Sequence, residues 1–402
     1  MNELLSLILV ILAFGLAIPI AVLWIECCVA FFAGSDPTSA PDSPEPRISV
    51  LIPAHNEAPV IGATLTGIIS QLKETDQAIV IADNCTDETA TIAREKGATV
   101  LERQDRDNRG KGYALDYGLR HLRQNPPEVV VMVDADCRVE PGAIATIARK
   151  ARETGNAVQA LYLMETPPDP SIKNSISAFA FLVKNWVRPL GLARMAGPCV
   201  LTGTGMAFPW SGIQSVSLAS GNIVEDMQLG VDLAIAGYPP QFTAAAKVLG
   251  LLPTDEKATT SQRTRWEHGH LETLRTQVPR LLKAAVSKGR FDLFQMAMDL
   301  CVPPLSLLVL LWVGVGAIAL LAGLLGFSWL PALILGAQGL FLILAILLAW
   351  GKFGRSVIPL KTLLGIPLYI LWKIPLYLGF FVKPQKEWVR TERDLTPPSQ
   401  SK

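Results

Sequence analysis

From Leu4 to Phe32 the chain carries a single charged residue, Glu26. A run of that length exceeds the roughly 20 apolar residues that cross the hydrocarbon core of a bilayer. No Lys or Arg precedes it, and it is longer than the apolar core of a cleaved signal peptide, so it reads as a retained anchor. Glu26 lies near its inner end, where the carboxylate is expected to reach the interface. The far end of the chain repeats the pattern. Leu300–Gly326 and Leu330–Trp350 read as two further spans. Val357–Val382 is a third apolar block, interrupted by Pro359, Pro367, Pro375, Lys361 and Lys373. That block is compatible with a span, an interfacial segment or a re-entrant pair. The basic junction Gly351-Lys-Phe-Gly-Arg355 belongs in the cytosol by the positive-inside bias. The tail 383–394 is basic too, and if it is also cytosolic the third block is not one simple span.

The 50% hydrophobic share of the 402 residues is concentrated in those ends, whereas 35–297 reads as ordinary α/β sequence. A formal net charge of +1 offers no electrostatic footprint for nucleic acid or another polyanion. The 6 cysteines include no Cys-x-x-Cys pair and only 4 histidines accompany them, which argues against a structural zinc site. The cysteines read as small buried hydrophobes in a reducing compartment.

Asp36–Arg47, rich in Pro, Ser and acidic residues, reads as a linker. Ile48–Pro53 is a short apolar strand, followed by Ala-His-Asn-Glu and a helical stretch at 57–72. Ala78–Ala82 is a second strand, with a helix at 87–97. Thr99–Leu101 is a third, and a helix at 111–123 follows Gly110-Lys-Gly112. Val129–Val133 is a fourth and runs into Asp134-Ala-Asp136; after another helix comes Ala157–Leu163. Strands alternating with helices imply a mainly parallel, Rossmann-like sheet with helices on both faces. Ligands bind such sheets at the carboxyl ends of strands, and Asp83, Lys111, Asp134 and Asp136 fall there. No Gly-x-Gly-x-x-Gly follows a strand, so a dinucleotide coenzyme is not supported.

Two carboxylates one residue apart at the mouth of a buried strand are suited to hold Mg2+ or Mn2+, which in turn bridges to diphosphate oxygens. Asp83 is placed to accept from a base N–H or a ribose hydroxyl, or to cap a helix, for which Asp87 is the better candidate. Gly110-Lys-Gly112 is flexible and cationic, as a diphosphate contact should be, and is equally an ordinary turn. Glu225-Asp226 opens an amphipathic helix ending at Gly237. A carboxylate there is a dipole partner or a general base for an acceptor hydroxyl. Gln262, Arg265 and Trp266 share one helix face at i, i+3 and i+4. Arginine offers a fork for phosphate and tryptophan a flat face for a sugar ring; interfacial anchoring is the alternative, since 271–290 looks amphipathic.

In this order the motifs Pro53-Ala-His-Asn-Glu57, Ala82-Asp-Asn-Cys-Thr-Asp87, Gly110-Lys-Gly112, Asp134-Ala-Asp136, Glu225-Asp226 and Gln262-x-x-Arg265-Trp266 resemble the membrane family-2 glycosyltransferases. These include cellulose, chitin and hyaluronan synthases and chitooligosaccharide synthases. The similarity covers roughly 47–290. It implies a GT-A fold, α/β and Rossmann-like, with transmembrane helices at both ends. It also implies roles. Asp83 would contact the uridine, Lys111 would lie near the diphosphate, Asp134 would touch the nucleotide and Asp136 would bind the metal. Asp226 would be the catalytic base of an inverting displacement. Gln262 and Arg265 would bind diphosphate. Trp266, with Glu225 and the loop residues Gly203 and Thr204, would form the acceptor side. The sequence departs from the family pattern at Val224, where Thr is common, and at Ala82-Asp83-Asn84-Cys85, which keeps one carboxylate in place of two. Trp388-Val-Arg-Thr-Glu-Arg393 looks like a terminal element of some of these enzymes.

The expected layout is an anchor at 1–34, a linker at 35–46 and a cytosolic catalytic domain at 47–270. Amphipathic interfacial helices at 271–297, a transmembrane region at 298–382 and a polar tail at 383–402 complete it. The expected enzyme is multi-pass in the plasma or inner membrane. It would move sugar from a UDP-sugar to a growing saccharide chain or, alternatively, to a ceramide- or polyprenyl-phosphate-type lipid. Intact Asp136, Asp226 and Arg265 argue against a catalytically dead binding subunit.

Overall fold

The apolar runs that end in carboxylates do become strands, because each is buried on both faces. In the computed structural model, which describes residues 2–34, 45–165, 170–219, 224–251 and 256–382, eight strands form one sheet. They are β1 (Ile48–Ala54), β2 (Gln77–Asp83), β3 (Thr99–Arg103), β4 (Val129–Met132), β5 (Cys137–Val139), β6 (Val158–Glu165), β7 (Met206–Pro209) and β8 (Gln241–Leu251). Most of the expected linker, and Trp388–Arg393, lie outside the described residues.

The sheet order is β3-β2-β1-β4-β7-β6-β8-β5. Its first four strands are parallel, with Leu51 opposite both Ile79 and Met132. Such strands carry near-continuous apolar sequence because helices cover both faces. β7 then enters antiparallel to β4 and β6, and β5 antiparallel to β8. The mainly parallel sheet expected from the alternating pattern therefore has a mixed second half. β5, β7 and β8 were not expected, since two are only three or four residues long and carry no periodicity of their own. The helix at 111–123 is Lys111–Leu122, and that at 57–72 shortens to Ala58–Ile69 because its last turn frays into Ser70 and Gln71. Leu51, Ile79, Leu115, Met132, Phe208 and Leu233 lie in one apolar cluster beneath the strand ends.

The chain divides into two compact units. The sheet lies in the unit formed by Ser35–Thr166 and Pro198–Gly269; the other unit comprises the described residues of Met1–Gly34, Pro167–Gly197 and His270–Pro384. In this second unit the N-terminal helix Asn2–Phe32 packs on Leu330–Ala349 and on Arg188–Arg194. Gln338 Nε2 donates to Ala13 O at 2.8 Å. Lys352 Nζ donates to Ala30 O, Phe31 O and Ala33 O at 3.1, 2.7 and 2.6 Å, and so satisfies carbonyls that a helix C-terminus leaves open.

Glu26 does not reach an interface. It is 1% exposed and accepts from Arg188 Nε at 3.0 Å, while Arg188 Nη2 donates to Asp299 Oδ1 at 2.6 Å. A carboxylate inside an apolar helix is retained here because a guanidinium on Arg188–Arg194 meets it. That helix follows a π-helical turn at Val183–Val187, and nothing near Glu26 in sequence announces it.

Among the described residues, three helices are long and apolar enough to cross a membrane: Glu3–Phe32, Leu305–Leu324 and Leu330–Gly354. The interrupted third block forms a single turn at Leu360–Leu363 and the helix Ile366–Val382. Gln262–Trp266 and 271–288 lie on one continuous helix, Glu256–Lys288.

Candidate functional site

β4 delivers Asp134 to the carboxyl edge of the sheet, and Thr204 fixes it there: Asp134 N donates to Thr204 Oγ1 at 3.1 Å. Lys111 opens its helix behind Gly110, whose φ of 120° is open to glycine alone. Its ammonium pairs with Asp134 and donates to Gly203 O at 2.8 Å. Gly203 itself sits at φ 92°, and a Cβ there would lie 3.2 Å from Asp226 Oδ2 and 3.3 Å from Lys111 Nζ. The space that a side chain at Gly203 would fill is thus within reach of both the candidate base and the candidate diphosphate cation.

Gln159 holds this loop and was not foreseen. It is buried in β6, donates to Thr204 O at 2.9 Å and accepts from Thr202 N at 2.9 Å. The available signal was a lone amide in the apolar run at 157–163, since a buried polar side chain needs partners.

Asp226 lies in the first turn of the helix Glu225–Ala236. Val224, just before it, packs against Gly269 so closely that a Cβ at Gly269 would stand 2.4 Å from Val224 Cγ1. That contact sets the start of the Asp226 helix on the helix carrying Gln262, Arg265 and Trp266. A cleft opens beside Asp226, with Lys111, Leu115, Met206, Leu218 and Glu225 among its walls.

The charges behave as one field. Burial alone would lower Lys111, but Asp134, Glu225 and Asp226 outweigh it and hold the ammonium above the usual lysine range. Burial raises Asp134; Lys111 opposes the shift, while Asp136 and Asp226 add to it. Burial pushes Glu225 up to about 7, against Lys111 and with Asp226. Burial lowers Arg265, and Glu225, Asp134, Asp136 and Asp226 pull the other way. Four carboxylates against two cations leave two negative charges in excess when all are ionised, the charge of one divalent ion.

The donor set fits such an ion. Ligand atoms of Asp134, Asp136 and Cys137 lie within 4.8 Å of one another. The Cys137 thiol is pushed well above its ordinary range by burial and donates to Asp136 Oδ1 at 3.6 Å. It stays a thiol, which leaves two hard carboxylates, the ligands that Mg2+ and Mn2+ favour.

The structure therefore brings together Lys111, Asp134, Asp136, Gly203, Thr204, Glu225, Asp226 and Arg265. Gln262 and Trp266 share the Arg265 helix, and Gln262 Oε1 is buried with no hydrogen-bond partner among the described residues. Thr202 Oγ1 is in the same condition. Orphaned buried oxygens are rare unless a ligand or water satisfies them. Asp83 stands apart in a network of its own, at the end of β2, where Arg103 Nη1 donates to its Oδ1 at 2.6 Å.

A family model described as "Glycosyltransferase like family 2" matches residues 46–269. The probable glycosyltransferase YdaM of Bacillus subtilis (strain 168) is 26% identical over 260 residues, covering 62% of this chain and 61% of that protein. The 4,4'-diaponeurosporenoate glycosyltransferase of Staphylococcus aureus (strain USA300) is 41% identical over 92 residues, 22% of this chain and 24% of that protein. Each match spans less than two thirds of the relative's own length. Among solved structures, the mannosyltransferase PcManGT from Pyrobaculum calidifontis, in complex with GDP-Man and Mn2+, aligns with a TM-score of 0.51 at 17% identity, over 88% of this chain and 100% of that one. At that identity the likeness is one of fold.

Proposed function

The chain belongs to the glycosyltransferase-like family 2, and within that family we propose that it is a membrane-bound, metal-dependent inverting enzyme that transfers sugar from a UDP-sugar to an acceptor hydroxyl. The observation that carries the reading is the placing of Asp226 Oδ2 and Lys111 Nζ within 3.3 Å of one point at Gly203. Asp226 takes the proton of the acceptor hydroxyl as its oxygen attacks the anomeric carbon. The bond from that carbon to the diphosphate oxygen breaks on the opposite face, and the electron pair stays on the departing diphosphate. Lys111 and Arg265 hold the leaving group, to which the Thr202 hydroxyl and the Gln262 side-chain N–H groups can donate, while the acceptor Gln262 Oε1 is left for a hydroxyl. Asp134 and Asp136 would hold Mg2+ or Mn2+, which supplies charge neutralisation to the diphosphate. GDP-Man and Mn2+, bound by the fold neighbour, belong to the same ligand classes.

Asp83 reads the base in this proposal, and Glu225, Gly203, Thr204 and Trp266 lie on the acceptor side. The catalytic unit faces the cytosol, where Gly351–Arg355 also belongs by its charge. The acceptor is a growing oligo- or polysaccharide or, as a second reading, a lipid. The polar groups of the two C-terminal spans favour the lipid. Ser306 bonds Tyr377, Trp312 Nε1 bonds Leu335 O and Gln338 Nε2 bonds Ala13 O. Spans whose donors are used within the protein offer little to line a hydrated channel.

Purified enzyme given radiolabelled UDP-sugars tests the acceptor. A ladder of products sinks the lipid reading, and one lipid-mobile spot sinks the polymer. Asp226→Asn tests the base: donor binding stays near normal while turnover collapses. Turnover within about tenfold of wild type would remove Asp226 from that role.

A further inference from the structure

Asp83 and Arg103 end adjacent parallel strands and face each other in register. Both side chains are 9% exposed. Arg103 Nη1 donates to Asp83 Oδ1 at 2.6 Å, and Asn84 Nδ2 donates to the same oxygen at 3.1 Å. The other arm of the guanidinium is tied down as well, since Nη2 donates to Asp105 Oδ2 and to Asn108 O, each at 2.8 Å. Asp105 in turn accepts from Asn108 N at 2.9 Å and donates its own N–H to Asn84 Oδ1 at 2.9 Å. Asn84 holds a left-handed backbone, φ 51°, and donates to Arg103 O at 2.7 Å. His55 Nδ1 meets Asp83 O at 2.7 Å. The Asp83 carboxylate is thus fixed in rotation and half saturated. Its Oδ2 has no hydrogen-bond partner among the described residues, and Asp83 closes β2 at the carboxyl edge, where ligands of such sheets bind.

We propose that Arg103 is a positioning residue that sets base specificity: by occupying Asp83 Oδ1 it presents Oδ2 as a fixed acceptor for a ring N–H, so the donor nucleotide carries an imide-type base. This rests on the reading of Asp83 as the base contact. An ionised carboxylate offers acceptors only. Uracil presents N3–H and guanine presents N1–H at the corresponding ring position. Cytosine N3 and adenine N1 are bare acceptors, and either would face a carboxylate lone pair with no proton between them. A site built to hydrogen-bond one group rejects an analogue lacking it strongly, because its own buried polar atom is left unpaired. Arg103 adds direction to this. A fork held at both arms leaves Asp83 no rotation by which to turn a different face to the base.

The test is competition binding of UDP, GDP, CDP and ADP, with Mn2+, on the full-length protein in detergent. Wild type is expected to favour UDP or GDP over both CDP and ADP by at least about 100-fold. In Asp83→Asn, Arg103 still demands an oxygen at the Oδ1 position, which forces the amide nitrogen to the position of Oδ2. A donor then faces the base, and the CDP-to-UDP affinity ratio rises by about 100-fold or more. Arg103→Gln lets Asp83 rotate, and the discrimination falls below about tenfold; Arg103→Lys, one charge without a fork, falls between. Asp83→Asn keeps its bond to Arg103 and decides the matter if Arg103→Gln does not fold. The proposal is overturned if wild type binds all four alike, if Asp83→Asn weakens all four equally, or if folded Arg103→Gln keeps full discrimination. Failure to bind any nucleoside diphosphate would instead sink the donor reading itself, and this inference with it.

Discussion

Gly269→Ala should separate stability from turnover. The added Cβ would stand 2.4 Å from Val224 Cγ1 and 3.2 Å from Cγ2. Ordinary carbon contacts are about 3.5–4.0 Å, so Val224 must retreat by about 1 Å or more. Overpacking of that kind costs about 1–3 kcal/mol. Replacing glycine by alanine within a helix returns about 1 kcal/mol, so the net loss of stability is about 0–2 kcal/mol. The effect on chemistry is larger. Val224 immediately precedes Glu225 and Asp226, and moving it shifts the candidate base. A misplacement of about 1 Å costs on the order of 100-fold in rate. Steady-state turnover with saturating donor, alongside a thermal melt in detergent, reads both quantities. The double variant Gly269→Ala with Val224→Ala removes the clashing methyls and should recover most of the turnover. The reasoning is refuted if Gly269→Ala turns over within about threefold of wild type, or if the double variant is no faster than the single.

Glu225, pushed up to about 7 chiefly by burial, keeps a proton in the folded protein that the unfolded chain releases above about 4.5. Its contribution to stability is therefore lost as pH rises from about 4.5 to about 7, and is constant above. Glu225→Gln should melt close to wild type near pH 4.5 and gain on it up to about pH 7; a pH-independent difference would contradict the assignment. Arg188→Met leaves Glu26 and Asp299 buried without their cation and should cost about 3–5 kcal/mol, read as loss of monodisperse protein in detergent. The triple replacement with Glu26→Gln and Asp299→Asn should restore most of it, and a stable Arg188→Met would show that the pairing is unimportant. Chelation with EDTA should abolish UDP binding, and Mn2+ or Mg2+ should restore it, with Asp136→Asn needing at least about tenfold more metal; full turnover in EDTA would remove the metal from the mechanism.

Much of this was legible in the sequence wherever a local pattern sufficed. Val129–Val133 announced a buried strand by its unbroken apolar run, and the carboxylates after it had to lie at a strand end. Lys111 and Asp226 were visible as helix-start residues beside glycine and glutamate. What escaped depends on partners distant in sequence. β7 is four residues long and exists because β4 and β6 flank it. Gln159 is a lone amide in an apolar run, and partners for both ends of that amide come from the loop at 202–204. Arg103 lay one strand away from Asp83 and 20 residues along the chain. Glu26 escapes for the same reason: its cation is 162 residues distant, so nothing local distinguishes a buried ion pair from a carboxylate reaching for water.

The bond from Gln338 to Ala13 spans 325 residues, and that separation has a consequence in time. At roughly 5–20 residues per second of synthesis, Ala13 emerges about 16–65 seconds before its partner exists. Through that interval the first helix has no partner for its Ala13 carbonyl, and its Glu26 carboxylate is unmatched until Arg188 is made. It must also wait for Lys352 before its last carbonyls are capped. This helical unit is thus closed only by residues translated after the sheet, and a nascent protein halted inside its sheet would carry the first helix with no assembled bundle around it.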